Sequence, residues 1–213
     1  MGASKGRDPK FEQAAKELGQ AIVACGHTVV YGGGNTGLMG ALADSVLEAK
    51  GEITGVITPH LHAIEGHKKV KMIFCDHIED RIKTMIDMSD AFIGLPGGYG
   101  TLEEMLKVLN GAKLKLHNKP IGFLNTENFY ALLFQLIDHV TEAGFAKKAE
   151  GKLYHASASA VELLSLLFPS KKIGFQKDLP LPSIFNPAVI ADPNADNLSS
   201  LPIPIAAGYS PPQ

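Results

Sequence analysis

Apolar residues recur at helical spacing from Pro9 to Cys25, with Phe11, Ala14, Ala15, Leu18 and Ile22 on one face. Pro9 suits a first helical turn and Gly26 a stop. HTVVYGGG then predicts a short buried strand closed by glycines, Leu38 to Ala49 a second helix ended by Gly51, and Ile53 to Thr58 a strand ended by Pro59. Residues 60–70, rich in His and Lys, read as a loop. Strand-like patterning returns at Val70 to Cys75, followed by a helix over Ile78–Met88 with Arg81 in its first turn. Asp90 to Leu95 predicts a strand, Thr101 to Leu109 a helix, and Pro120 to Leu124 a strand. The series ends with a helix over Phe129–Ala143, a strand over Leu153–Ala156 and a helix over Ala158–Leu167.

Short apolar strands alternating with helices imply an α/β protein: a Rossmann-like parallel sheet with helices on both faces. Ligands in such sheets sit at the carboxyl ends of the strands, where both glycine clusters of this chain fall. The chain opens on MGASKG and passes straight into a helix, so the sheet is expected to lack its first strand. A missing central strand would expose its neighbours' edges and leave a groove in the core. Residues 1–168 are expected to form this domain. Residues 169–213, with prolines in LPLP, LPIP and YSPP, are expected to form an extended or disordered proline-rich tail.

Composition removes several classes. A formal charge of −2 gives no reason to expect nucleic acid or an anionic membrane as partner. No apolar run reaches the roughly 20 residues of a membrane span, and the first residues lack the apolar core of a secretory signal. Cytoplasm is the expected location. Cys25 and Cys75 read as buried free thiols. His60, His62 and His67 share one segment but lack a second ligand cluster, so solvent-facing histidines are expected and no metal site, the alternative being that His62 or His67 lines a substrate entrance beside Glu65. Met39, Met85 and Met88 read as packing residues.

Gly32, Gly33 and Gly34 follow the first predicted strand, with Gly37 and Gly40 in the next turn. A P-loop would end in Gly-Lys-Ser/Thr, which is absent. Gly32, Gly34 and Gly37 meet the dinucleotide spacing, yet the strand that should end in an acid ends in Thr58 and Pro59. A second cluster, Gly97, Gly98 and Gly100, follows Leu95–Pro96. Each loop taken alone could merely permit a tight turn. Together they can aim free amides and two helix N-termini at one anion. Asn35, Thr36 and Thr101 offer side-chain donors, and the lack of Lys or Arg in either loop favours a monophosphate.

Glu103 and Glu104 lie where helix-capping carboxylates are stabilised. Arg81 leads a helix after a different strand and could meet Glu104 across the crevice; a structural ion pair is the plainer alternative. A carboxylate beside a phosphosugar cradle, without metal ligands or an activated nucleophile, points to cleavage of a glycosidic bond. Such bonds break through a cation-like sugar that a nearby anion stabilises. Arg81 would grip a phosphate or ribose hydroxyl, since guanidinium does not release its proton near neutrality.

YGGGNTGLMG at Tyr31–Gly40 and DAFIGLPGGYGTLEE at Asp90–Glu104, containing a PGGxGTxxE motif, closely resemble the LOG (Lonely Guy) family of cytokinin riboside 5′-monophosphate phosphoribohydrolases. The resemblance runs from Gly2 to Leu167. Members were often labelled lysine decarboxylases, but the sequence shows no sign of a pyridoxal-phosphate site. The resemblance implies hydrolysis of N6-modified adenosine 5′-monophosphates to free base and ribose 5-phosphate, by a homodimer without cofactor. It implies catalytic roles for Arg81 and Glu104. Substrate contacts are expected from Gly33, Gly34, Asn35, Thr36, Gly37, Glu65, Gly97, Gly98, Tyr99, Gly100, Thr101 and Glu103.

The departures are local. Ile78-Glu79-Asp80-Arg81-Ile82 stands where the family has Met-His-x-Arg-Lys, which predicts a weaker positive potential. Asn110-Gly111-Ala112-Lys113 replaces Thr-Trp-Ala-Gln, losing a tryptophan. Only Gly2-Ala3-Ser4 remains of the first strand's Gly-Ser-Ser ending. These favour the main alternative, a catalytically impaired nucleotide-binding relative. An interaction module working through the tail is a third.

Overall fold

The computed structural model describes residues 6–147 and 153–169. The tail expectation, beyond Pro169, lies outside the described residues, as does the Gly2-Ala3-Ser4 remnant.

Helix α1 (Pro9–Ala24) starts where Asp8 accepts a hydrogen bond from the Lys10 amide at 2.9 Å, and Pro9 supplies a first-turn φ. Strand β1 (Val29–Tyr31), helix α2 (Gly37–Glu48), strand β2 (Ile53–Ile57), helix α3 (Pro59–Glu65) and strand β3 (Lys71–Phe74) complete the first half. Helix α4 (Ile78–Met88) leads to strand β4 (Phe92–Gly94), helix α5 (Tyr99–Lys113) and strand β5 (Ile121–Leu124). A 3-10 turn at Thr126–Asn128 precedes helix α6 (Ala131–Glu142), strand β6 (His155–Ser157) and helix α7 (Ala160–Leu167).

All four strand pairings are parallel, β1–β2–β3 in one sheet and β4–β5–β6 in another. No described strand joins β1 to β4. A cavity of about 410 Å³ occupies that position, lined by β1 and β4, by Leu18, Ile22 and Leu164 on one side, and by Met85 and Met88 on the other. The expected gap is therefore visible as a groove between two half-sheets.

Helices α1, α2 and α7 share one apolar cluster with β1. Their approach is close: a Cβ on Gly19 would lie 2.0 Å from Ser45 Oγ of α2. A second cluster gathers α5, β4 and β5 around Phe92, Met105 and Phe123, and Ile82 and Met85 of α4 pack with Val56 and Cys75 in a third.

Four expectations are corrected. Residues 59–65 form α3, not loop; Thr58 Oγ1 accepts from the Leu61 amide and Pro59 opens the helix. None of its residues is fully buried, which is why no apolar period announced it. Helix α5 starts at Tyr99, inside the glycine loop, and runs on to Lys113. Met88 is exposed to the groove rather than packed. Cys75 is buried as expected, but Cys25 is only half-buried; no disulfide joins the two.

Candidate active site

Arg81, in the first turn of α4, turns inward and is almost completely buried. Its Nε donates to the Val56 carbonyl of β2 at 2.8 Å, and its Nη2 to the Gly32 carbonyl behind β1 at 3.3 Å. Nη1 donates to Glu104 Oε1 of α5 at 2.8 Å. One guanidinium thus ties the carboxyl ends of β1 and β2 to the helix that follows β4. Burying such a pair is costly, and these extra hydrogen bonds are what repay the desolvation of the guanidinium.

Glu104 is 8% exposed, held on the inner face of α5 beside Thr101 and Met105. Only Oε1 is pinned. Oε2 makes no hydrogen bond among the described residues. A buried carboxylate with one oxygen fixed and the other open is oriented toward whatever enters the mouth.

The glycines fit around this pair for specific reasons. A Cβ on Gly32 would fall 2.2 Å from Arg81 Nη2, so the guanidinium reaches the loop only because that position is bare. Gly33 adopts φ +80, which glycine takes without strain. A Cβ on Gly97 would meet Thr101 Oγ1 at 2.2 Å, whereas Cβ atoms on Gly98 or Gly100 would meet nothing within 4 Å. The space above the start of α5 is therefore open. Gly98 is the N-cap of α5 and Thr36 that of α2, and neither supplies a side-chain cap. The first-turn amides of both helices are left for an anion.

Glu65 ends α3 against the first glycine loop. Its carbonyl accepts from the Asn35 amide at 2.8 Å, and Gly34 bridges Gly66. Asn35 and Thr36 are exposed, Gly37 is half-buried, and Thr101 is buried. The structure thus brings Gly33, Gly34 and Glu65 together, and joins Gly32 to Arg81 and Glu104. Glu103 is not part of that junction: its exposed side chain lies 3.9 Å from Lys107 on the outer face of α5. Tyr99, the first residue of α5, is 94% exposed. The Ile82 departure changes meaning, because Ile82 is buried in an apolar cluster with Val56, Cys75 and Met85. Glu79 and Asp80 are exposed in the first turn of α4, where they favour the helix dipole.

Sequence reasoning placed His67 near Glu65 but missed its burial and its partner, and it missed Tyr31. His67, expected at the surface, is 6% exposed and contacts Asp44 of α2. The signal was faint: a single acid in the otherwise apolar GLMGALADS. Tyr31 is 1% exposed and lines the groove, with its hydroxyl lacking a hydrogen-bond partner. Burial, first, and the charge of Asp44 push the pKa of this hydroxyl well above the usual phenol range. Among the described residues no three His, Cys, Asp or Glu side chains gather as a metal ligand set.

The arrangement defines a Rossmann-like α/β protein whose two glycine loops and buried Arg–Glu pair share one mouth at the carboxyl ends of the strands. A family model described as "Possible lysine decarboxylase" matches residues 39–167. Cytokinin riboside 5'-monophosphate phosphoribohydrolase LOG5 of Arabidopsis thaliana is 37% identical over 174 residues, covering 81% of this chain and 76% of that protein. LOG1 of the same plant is 39% identical over 168 residues, covering 78% of this chain and 79% of its own. The chain belongs to this LOG family. Among solved structures, the molybdenum cofactor binding protein of Rippkaea orientalis superposes with TM-score 0.61 at 22% identity, covering 79% of this chain and 93% of that one. TM1055 superposes at 0.59 with 17% identity, covering 79% and 96%. Both share the fold.

Proposed function

We propose that this chain hydrolyses the N-glycosidic bond of N6-modified adenosine 5′-monophosphates, releasing the free base and ribose 5-phosphate. The carrying observation is the half-pinned Glu104, held by Arg81 where the two glycine loops converge. The phosphate would sit on the free amides at the starts of α2 and α5. Glu104 Oε2 would then face the anomeric carbon, stabilise positive charge as the base departs, and orient the attacking water. Arg81 compensates the buried carboxylate and keeps its oxygen in place. The names of the plant relatives support the reaction, and the open space above Gly98 and Gly100 supports the placement of the sugar phosphate.

Incubation with isopentenyladenosine 5′-monophosphate and with AMP, followed by assay of free base and ribose 5-phosphate, tests this reading. Product from the modified nucleotide supports it; a folded protein that releases neither base excludes it.

The gap between half-sheets favours one second reading, a nucleotide binder with impaired turnover. The mouth draws residues from both half-sheets, and a loose junction would bind without aligning. Calorimetric binding of the nucleotide beside null turnover would select it.

The proposed homodimer has an apolar face available on α6. Leu132, Leu136 and Val140 recur every four residues there and are all exposed, Leu132 at 78%. Leu132→Glu with Leu136→Glu is expected to halve the mass measured by light scattering; an unchanged mass removes this face from the interface.

A further inference from the structure

The segment after α3 is fastened twice, and only one fastening belongs to the glycine loop itself. In the first, main-chain bonds run from the Asn35 amide to the Glu65 carbonyl at 2.8 Å and from the His67 amide to the Gly33 carbonyl at 3.0 Å. The second is the His67 side chain. Its Nδ1 accepts the Lys69 amide at 3.2 Å. A backbone amide can only donate, so the imidazole proton sits on Nε2. Nε2–H therefore donates to Asp44 Oδ1 of α2, at 3.2 Å. The ring is buried, whereas the Asp44 carboxylate is more than half exposed.

Helix α2 begins at Gly37, directly behind the first glycine loop. Asp44 lies two turns further along the same helix. His67 thereby closes a bracket: loop 33–35 is held to segment 65–67 by main chain, and that segment is held to α2 by an imidazole. Neither His67 nor Asp44 is among the residues that meet at the Arg81–Glu104 junction. A buried imidazole with both ring nitrogens used fits a fixed strut.

We infer that His67, anchored by Asp44, is a positioning residue that holds Glu65 and the Gly33–Asn35 loop, and with it the start of α2, at the spacing a ribose 5-phosphate requires. This rests on the proposed phosphoribohydrolase reading. The bracket acts on the cradle, not on Glu104, so it governs binding more than bond cleavage.

The side-chain chemistry gives a sharp discriminator. His67→Gln keeps an amide donor near the position of Nε2 and can still reach Asp44, whereas His67→Asn keeps an acceptor near Nδ1 and falls short of it. Asp44→Ala removes the anchor from the surface with little risk to folding. Binding of AMP is measured by calorimetry in the Glu104→Gln background, so that no turnover is needed, and kcat and KM are measured in the otherwise unaltered protein. His67→Asn and Asp44→Ala are expected to weaken AMP binding and raise KM about tenfold, with kcat held within about threefold, and His67→Gln to restore most of the loss. Equal losses in Gln and Asn variants, a fall in kcat alone, or unchanged binding in Asp44→Ala would overturn the inference while leaving the reaction intact. Absence of binding by both AMP and isopentenyladenosine 5′-monophosphate before His67 is changed would overturn both.

Discussion

The mouth and the groove lie between the same two half-sheets and are finished in opposite ways. At the carboxyl ends, Arg81 spans the divide with directed bonds to Gly32, Val56 and Glu104. In the groove, β1 and β4 border a cavity of about 410 Å³, and the Tyr31 hydroxyl has no hydrogen-bond partner among the described residues. The comparison teaches that the half-sheets are joined by their site and by the helices packed over them, since no described strand runs between β1 and β4. In such a molecule the residues of the mouth carry part of the fold, and loss of function and loss of stability will partly coincide at Arg81 and Glu104.

The largest effect should come from that junction. Arg81→Ala leaves a buried carboxylate unpaired and is expected to cost about 3–5 kcal/mol of stability together with turnover, read by denaturant unfolding and product assay. Glu104→Gln keeps the hydrogen-bonding shape; turnover should fall by about 10²–10⁴-fold with the fold retained. Equal stability of Arg81→Ala and the unaltered protein would break the idea that the mouth holds the half-sheets.

The glycines sharpen the contrast next. Gly32→Ala places a Cβ against Arg81 Nη2 and should lower turnover by about a hundredfold through displacement of the guanidinium. Gly98→Ala meets open space, so stability should change by less than about 0.5 kcal/mol while KM rises. On the groove side, Val29 donates its amide to Glu52 of the neighbouring segment, so the Val30 amide turns toward the cavity. Val29→Pro should therefore cost about 1–3 kcal/mol more than Val30→Pro in the same unfolding measurement. Smallest of all, Tyr31→Phe removes a buried hydroxyl without a partner and should leave stability unchanged or raise it by about 1 kcal/mol. A marked loss there would mean that the hydroxyl is satisfied within the groove.

The helices with a long apolar face, α1, α4 and α7, were legible to within a few residues because buried positions recur at 3.6-residue spacing. The break between β1 and β4 among the described strands was legible too, from the order of elements alone. Helix α3 escaped because it buries no residue, so only Thr58-Pro59 marked its start. At the mouth, spacing placed Arg81 and Glu104 on elements that could meet. It gave no hint that Arg81 would also hold the carbonyls of Val56 and Gly32, because backbone acceptors have no residue code. His67 and Asp44 stand 23 residues apart in chain, and no local pattern links them.

The triple grip of Arg81 has a dynamic corollary. A fluctuation that spreads β1 from β4 must pull Arg81 off either Gly32 or Glu104, dismantling the reactive geometry in the same movement. On the proposed reading, breathing of the junction and alignment of Glu104 exclude one another: a ligand that wedges the halves apart should inhibit turnover, and one that clamps them together should favour it.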